Sequence, residues 1–202
     1  MKYKSSLTLL LAAIIWGFAF VAQRVGMDYI GPFTFNGVRF ALGAVSLLPL
    51  IYFFNQQTEN ASDEKPYNPL STIKIGLIAG LILFTGASLQ QIGLLYTTAG
   101  KAAFITCLYI VLVPIAGIFL KHRTTIATWL GCGLAVIGLY LLCVKESFVI
   151  AYGDLLQLIG AFFWTAHIMF IDHYSPKVDS LKLAFFQFIG CSALSLITAL
   201  LT

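Results

Sequence analysis

Residues 160–172 read GAFFWTAHIMFID, and residues 12–24 read AAIIWGFAFVAQR. Both are apolar runs with a tryptophan near the middle and a charged residue at the end. Either the phrase recurs by chance in a hydrophobic chain, or it marks two copies of one unit. Sliding the chain by 148 residues aligns Trp16 with Trp164, Ala13 with Ala161 and Phe40 with Phe188 without a gap, although only six of 48 positions are identical. The shared layout of span, short loop and span, with tryptophan in one register, carries more weight than the identities.

Composition sets the solvent in which such runs can exist. Apolar residues make up 59% of the 202 residues and charged residues 10%, with a mean hydropathy of +0.92. A water-soluble domain carries about 25% charged residues. Too little polar surface remains to cover a soluble globule, so the lipid bilayer is the expected surroundings. The net charge of +4 is scattered, without a basic block for nucleic acid. Cys107, Cys132, Cys143 and Cys191 lie in apolar runs without C-x-x-C spacing, which suits packing better than disulfides or zinc. A basic start at Lys2 and Lys4 precedes the first run, but no clean cleavage site follows, so it reads as a retained signal-anchor.

A helix needs about 20 apolar residues to cross the hydrocarbon core. Seven runs qualify, at 7–25, 34–54, 73–95, 99–120, 126–144, 153–172 and 182–202. The polar stretch 55–71 contains two prolines and reads as a surface loop. Lysine and arginine set the orientation. With the N-terminus inside, Lys2, Lys4, Lys65, Lys74, Lys121, Arg123, Lys177 and Lys182 are cytoplasmic, against Arg24, Lys101 and Lys145 outside. Five spans separate the two phrases, and five is odd, so the second copy runs upside down. Inverted repeats of this kind build many secondary transporters, with substrate held at the repeat interface.

The residues also resemble a family. Trp16-Gly17, the VRFALGA around Arg39, the block QQIGLLYTTAGKAAFITCLYIVLVPIAGIFL at 90–120, TWLGCGLAVIGLYLL at 128–142 and GDLLQLIGAFFW at 153–164 are similar to EamA-type permeases of the drug/metabolite transporter superfamily. Many members carry an acidic residue after the fourth span, where this chain has Lys121-His122-Arg123. The resemblance implies an all-α polytopic fold of ten helices in two inverted halves of five. Residues 1–146 would be the first repeat and 147–202 the start of the second, leaving seven of the ten helices here. Three spans would then be missing, and an open-sided bundle with under-satisfied Gln90 or Gln91 and His167 is expected.

Polar groups inside a bilayer are costly and are candidates for function, with helix pairing or snorkelling as the competing reading. Trp16, Phe20 and Gln23 share one face of span one. Asn36, Arg39 and Gly43 share a face of span two, and Arg39 lies about 8 Å inside the span's end at 1.5 Å per residue, which suits structural pairing or snorkelling. Gln90 and Gln91, adjacent and deep in span three, must point in different directions, and at least one faces other helices or a cavity. Ala102, Thr106 and Tyr109 form a small-polar-aromatic face of span four, with a kink expected at Pro114. Trp164 and His167 share a face of span six, and His167 can change charge near neutral pH. Gly76 with Gly80, and Gly37 with Ala41, permit close helix approach. The spacing of His167, Asp172 and His173 does not suit a metal, and no catalytic or pump motif is present.

The candidate substrate-binding set is therefore Trp16, Gln23, Gln90, Gln91, Tyr109, Trp164 and His167, with Asn36, Arg39 and Pro114 as in-membrane polar or structural positions. The reading is a non-enzymatic secondary transporter for a small organic solute in a prokaryotic cytoplasmic membrane. It needs no cofactor, protons are the candidate coupling ion, and a homodimer is a candidate assembly. The rival is a seven-span receptor or sensor, although no lysine lies in mid-span seven to hold a retinal.

Overall fold

The computed structural model describes residues 2–59, 68–120, 124–144 and 151–202, and among them there is no strand. The helices are α1 (Lys2–Gly26), α2 (Pro32–Glu59), α3 (Pro69–Gly93), α4 (Ala99–Thr106), α5 (Tyr109–Phe119), α6 (Ile126–Val144), α7 (Tyr152–Tyr174) and α8 (Ser180–Leu201). In lipid an unpaired backbone amide has no water to turn to, so apolar runs of this length fold as helices that satisfy themselves. Six helical spans among the described residues are long and apolar enough to cross a membrane, with α4 and α5 counted as one span. The fifth expected span is helical as α6, whose apolar stretch, Ile126–Gly138, is shorter than the other six.

Local chemistry sets the helix starts. Asn68 Oδ1 accepts hydrogen bonds from the amides of Leu70 at 3.0 Å and Ser71 at 3.4 Å, and Pro69 occupies the first turn where no amide hydrogen is needed. The helix therefore begins four residues before the apolar run at residue 73. Asp179 caps α8 in the same way, accepting from the amides of Leu181 and Lys182. At the other end of α2 the helix continues through Glu59, so the first residues of the expected 55–71 loop are helical; 60–67 lie outside the described residues.

Span four departs from expectation. The interruption falls at Cys107–Leu108, ahead of Pro114 rather than at it. There the backbone tightens to i→i+3 bonds: Leu108 N donates to Ile105 O, Ile110 N to Cys107 O and Val111 N to Leu108 O. Pro114 has no amide hydrogen for the carbonyl of Ile110. That oxygen instead accepts a hydrogen bond from the thiol of Cys132 on α6, at 3.5 Å.

The packed centre consists of α2, α3, α7 and α8. Helix α8 lies against α2 and α3, and α7 lies against α3, α4 and α5, while α1 and α6 sit at the edges against α4 and α5. Close approach at two crossings depends on glycine. A Cβ on Gly80 would stand 2.8 Å from the carbonyl oxygen of Gln187 on α8. A Cβ on Gly153 would meet the Gly93 carbonyl, joining the C-terminal end of α3 to the start of α7. The outer faces are apolar, with Leu7, Phe18, Leu42 and Leu134 strongly exposed, which suits a hydrocarbon solvent and not water. Helices α1 and α7 end at Gly26 and Tyr174, and α2 and α8 begin at Pro32 and Ser180; each pair is 148 residues apart.

Candidate functional site

Within this apolar bundle one end of α7 carries a polar stripe. Asp154, Gln157, Ala161, Trp164 and His167 recur every three or four residues and so fall on one face. Asp154 fixes the start of the helix: its carboxylate accepts from the amide of Ala151 at 3.0 Å and from the Thr97 hydroxyl. One turn further, Gln157 is completely buried. Its Nε2 donates to the backbone oxygen of Gln90 at 2.8 Å, and its Oε1 accepts from Thr106 Oγ1 at 3.1 Å. Thr106 is the last residue of α4, so this bond holds the broken span at its interruption.

The centre of the network is Gln90. Trp164 Nε1 donates to Gln90 Oε1 at 3.1 Å, Gln90 Nε2 donates to Gln23 Oε1 at 3.1 Å, and Gln23 Nε2 donates to the carbonyl of Ala19 at 3.1 Å. Every donor in this relay points the same way, so each bond polarises the next. Gln91 reaches the same helix by another route, donating from Nε2 to the backbone oxygen of Gln23 at 3.4 Å. The two adjacent glutamines thus diverge, as their spacing requires, yet both tie α3 to α1.

Further along α7, His167 Nε2 lies 2.9 Å from Gln187 Oε1 of α8, which makes the imidazole the donor. Its ring meets Trp164 edge-on, with centroids 6.2 Å apart. Gln90 and His167 are therefore paired and not under-satisfied. Of the expected groups it is Gln91 whose Oε1 is buried without a partner, joined on α3 by Ser88 Oγ and on α2 by Asn36 Nδ2 and Arg39 Nε. An unpaired buried polar atom costs about 1–3 kcal/mol.

Gln23, Gln90, Gln91 and Trp164 come together as one network, with His167 stacked at its edge. Trp16 does not join them; although it shares a face of α1 with Gln23, it is 63% exposed. Tyr109 is half-buried just after the interruption. Asn36 and Arg39 pair with each other on α2, where Arg39 Nη2 donates to Asn36 Oδ1 at 3.0 Å. Sequence reading missed Gln157, Gln187 and Ser88. For Gln157 a signal was available, since Asp154, Gln157, Trp164 and His167 share a helical period in GDLLQLIGAFFWTAH. Gln187 and Ser88 gave none, because a single polar residue in an apolar run does not reveal which neighbour it meets.

Chemically, the site offers amide and indole hydrogen bonds and aromatic faces, bordered by one imidazole and one carboxylate. A separate crevice between α4–α5 and α6, lined by Phe104, Leu108, Val111, Ala135 and Gly138, is apolar and offers no hydrogen bonds of this kind.

Residues 4–144 match the model of the EamA-like transporter family. An uncharacterized transporter of Archaeoglobus fulgidus is 34% identical over 189 residues, covering 91% of this chain and 54% of the relative. The uncharacterized transporter YoaV of Bacillus subtilis is 25% identical over 167 residues, covering 80% of this chain and 54% of the relative. A second uncharacterized transporter of Archaeoglobus fulgidus is 23% identical over 193 residues, covering 93% and 64%. The chain spans about half the length of the first two curated relatives. No solved structure matches it.

Proposed function

Because this chain belongs to the EamA-like transporter family, we propose that it forms the first repeat and the opening of a second, inverted repeat of a secondary transporter. Its substrate is a small organic solute, moved by alternating access across a prokaryotic cytoplasmic membrane, with export as the working direction and protons as the candidate coupling ion. The N-terminus is cytoplasmic on the charge bias, and seven spans are counted with α6. The equal 148-residue offsets between the ends of α1 and α7 and the starts of α2 and α8 support the repeat reading.

The observation that carries the proposal is the relay Trp164–Gln90–Gln23, buried between α1, α3 and α7 in helices that are mostly apolar. Ionisable or polar groups are retained at such depth where they line a path or tie moving helices together. Here the relay ties α1 and α7, the two helices the repeat relates, to α3 between them. Opening the path would separate these amides and offer them to solute, together with Ser88 Oγ and Gln91 Oε1, whose hydrogen-bonding capacity is unspent. The neutral chemistry favours a polar uncharged or zwitterionic solute with an apolar or aromatic part.

The test is transport of a panel of labelled amino acids, nucleosides and aromatic solutes into vesicles containing the full chain. At least one solute should move, and Gln90→Leu should slow it roughly tenfold, the equivalent of one lost hydrogen bond of about 1.4 kcal/mol. If no solute in the panel moves, or Gln90→Leu transports at the wild-type rate, the reading fails.

A further inference from the structure

Arg39 lies on α2, outside the glutamine relay's hydrogen bonds, and among the described residues it has no acidic partner. Among the described residues the ion pairs are Arg24–Asp28 at 2.9 Å and Lys182–Asp179 at 3.3 Å; none involves Arg39. Its guanidinium donates to the neutral Oδ1 of Asn36, a residue with no exposed surface. Two aromatic rings wall the guanidinium, with Phe40 at 4.7 Å and Phe35 at 5.6 Å from the guanidinium carbon to the ring centroid. Neighbours hold both rings in place. Phe35 occupies the space that Gly26 leaves free at the end of α1, and Phe40 packs on Phe188 of α8 with centroids 5.6 Å apart.

Two atoms in this cluster are buried without a partner, Arg39 Nε and Asn36 Nδ2. Both are donors. Buried polar atoms are rarely left unpaired, and a guanidinium stays charged at neutral pH. What the cluster lacks is an acceptor that also brings negative charge. Arginine's planar fork is suited to carboxylate and phosphate oxygens.

We propose that Asn36 and Arg39 form a binding site for a single oxyanion, a carboxylate or phosphate group, received by Arg39 Nε and Asn36 Nδ2. Residues 36 and 39 share a helix face, so both donors present to one side of α2. Since α2 begins at Pro32, Arg39 sits about 10 Å along the helix at 1.5 Å per residue. That depth is within reach of a lipid headgroup phosphate and of the anionic group of a solute inside the bundle. The two sources present the same chemistry to the site, and they differ in how they arrive.

The experiment uses the full chain purified in an uncharged detergent, with the unfolding temperature followed at constant ionic strength. In one arm chloride is replaced by inorganic phosphate or benzoate; in the other, phosphatidylglycerol is added. The unfolding temperature should rise saturably in at least one arm, and Arg39→Gln should weaken that response at least tenfold, as expected for a lost charge-assisted hydrogen bond. A response confined to phosphatidylglycerol assigns the site to lipid, and a response to free anions assigns it to solute; either supports the site. If Arg39→Gln does not fold, Arg39→Lys keeps the charge, loses the Nε donor and should weaken the response by a similar factor. No response in either arm overturns the proposal, as does an unchanged midpoint in Arg39→Gln or, where that protein does not fold, in Arg39→Lys. A water-filled cluster would give that null result.

Discussion

Gln90 has two side-chain partners on two different helices, and no other side chain in the relay does. Replacing Trp164 by Phe keeps the ring but removes Nε1, leaving Gln90 Oε1 buried and unpaired. The expected cost is about 1–3 kcal/mol, read as a lowered unfolding temperature in detergent; an unchanged temperature would mean that this hydrogen bond is absent from the folded protein. His167 makes a different kind of contact. Its bond to Gln187 uses one imidazole N–H, which the neutral and the protonated ring both supply, so a change of charge would not break the pairing. If that charge couples to transport, wild-type rate varies with pH and His167→Gln flattens the profile. A His167→Gln profile that overlays the wild type would assign the histidine to holding α7 and α8 together. Position 187 is also the repeat counterpart of position 39, so both α2 and α8 carry a polar side chain at this register.

Between elements, small residues decide how closely the helices approach. A Cβ on Gly80 would press on backbone atoms of α8: Gln187 O at 2.8 Å, Gln187 Cα at 3.3 Å and Cys191 N at 3.3 Å. Backbone cannot rotate away, so Gly80→Ala should destabilise by about 1–3 kcal/mol through overpacking. Gly17 on α1 has nothing within 4 Å of the same position. Gly17→Ala should be neutral or slightly stabilising because alanine favours helix. Thermal unfolding of the two variants side by side checks this, and equal unfolding temperatures would contradict the α3–α8 crossing. The interrupted span obeys a related rule. Backbone that leaves the α-helical ladder inside a membrane must find other partners, which the i→i+3 bonds and Cys132 supply.

For the whole molecule, the charge bias predicts a cytoplasmic segment around Ser62 and an external one around Ser147; both lie outside the described residues. Single cysteines at these two sites, in a background without native cysteines, should differ towards an impermeant thiol reagent in intact cells. Only Ser147→Cys should react. Labelling of Ser62→Cys alone would reverse the orientation and remove the topological basis for an inverted second repeat. The membrane-facing surface agrees with such a chain, since its large exposed side chains are apolar over most of each span.

The sequence by itself determined the solvent, the class and the helices. Apolar content, run length and helix-capping residues such as Asn68 and Asp179 are local properties, and in lipid they leave helix as the available backbone state. The divergence of Gln90 from Gln91 was equally legible, because a helix turns about 100° per residue. Which partner each glutamine would find was not. Gln90 meets Gln23, 67 positions away, and Trp164, 74 positions away, and such pairings depend on how α1, α3 and α7 cross. The two tryptophans make the same point. They share one sequence register, yet Trp164 donates into the relay while Trp16 is left largely exposed, because α7 packs along α3 whereas α1 reaches α3 through Gln23. Periodicity assigns a side chain to a face of its own helix, and tertiary packing alone decides what that face meets.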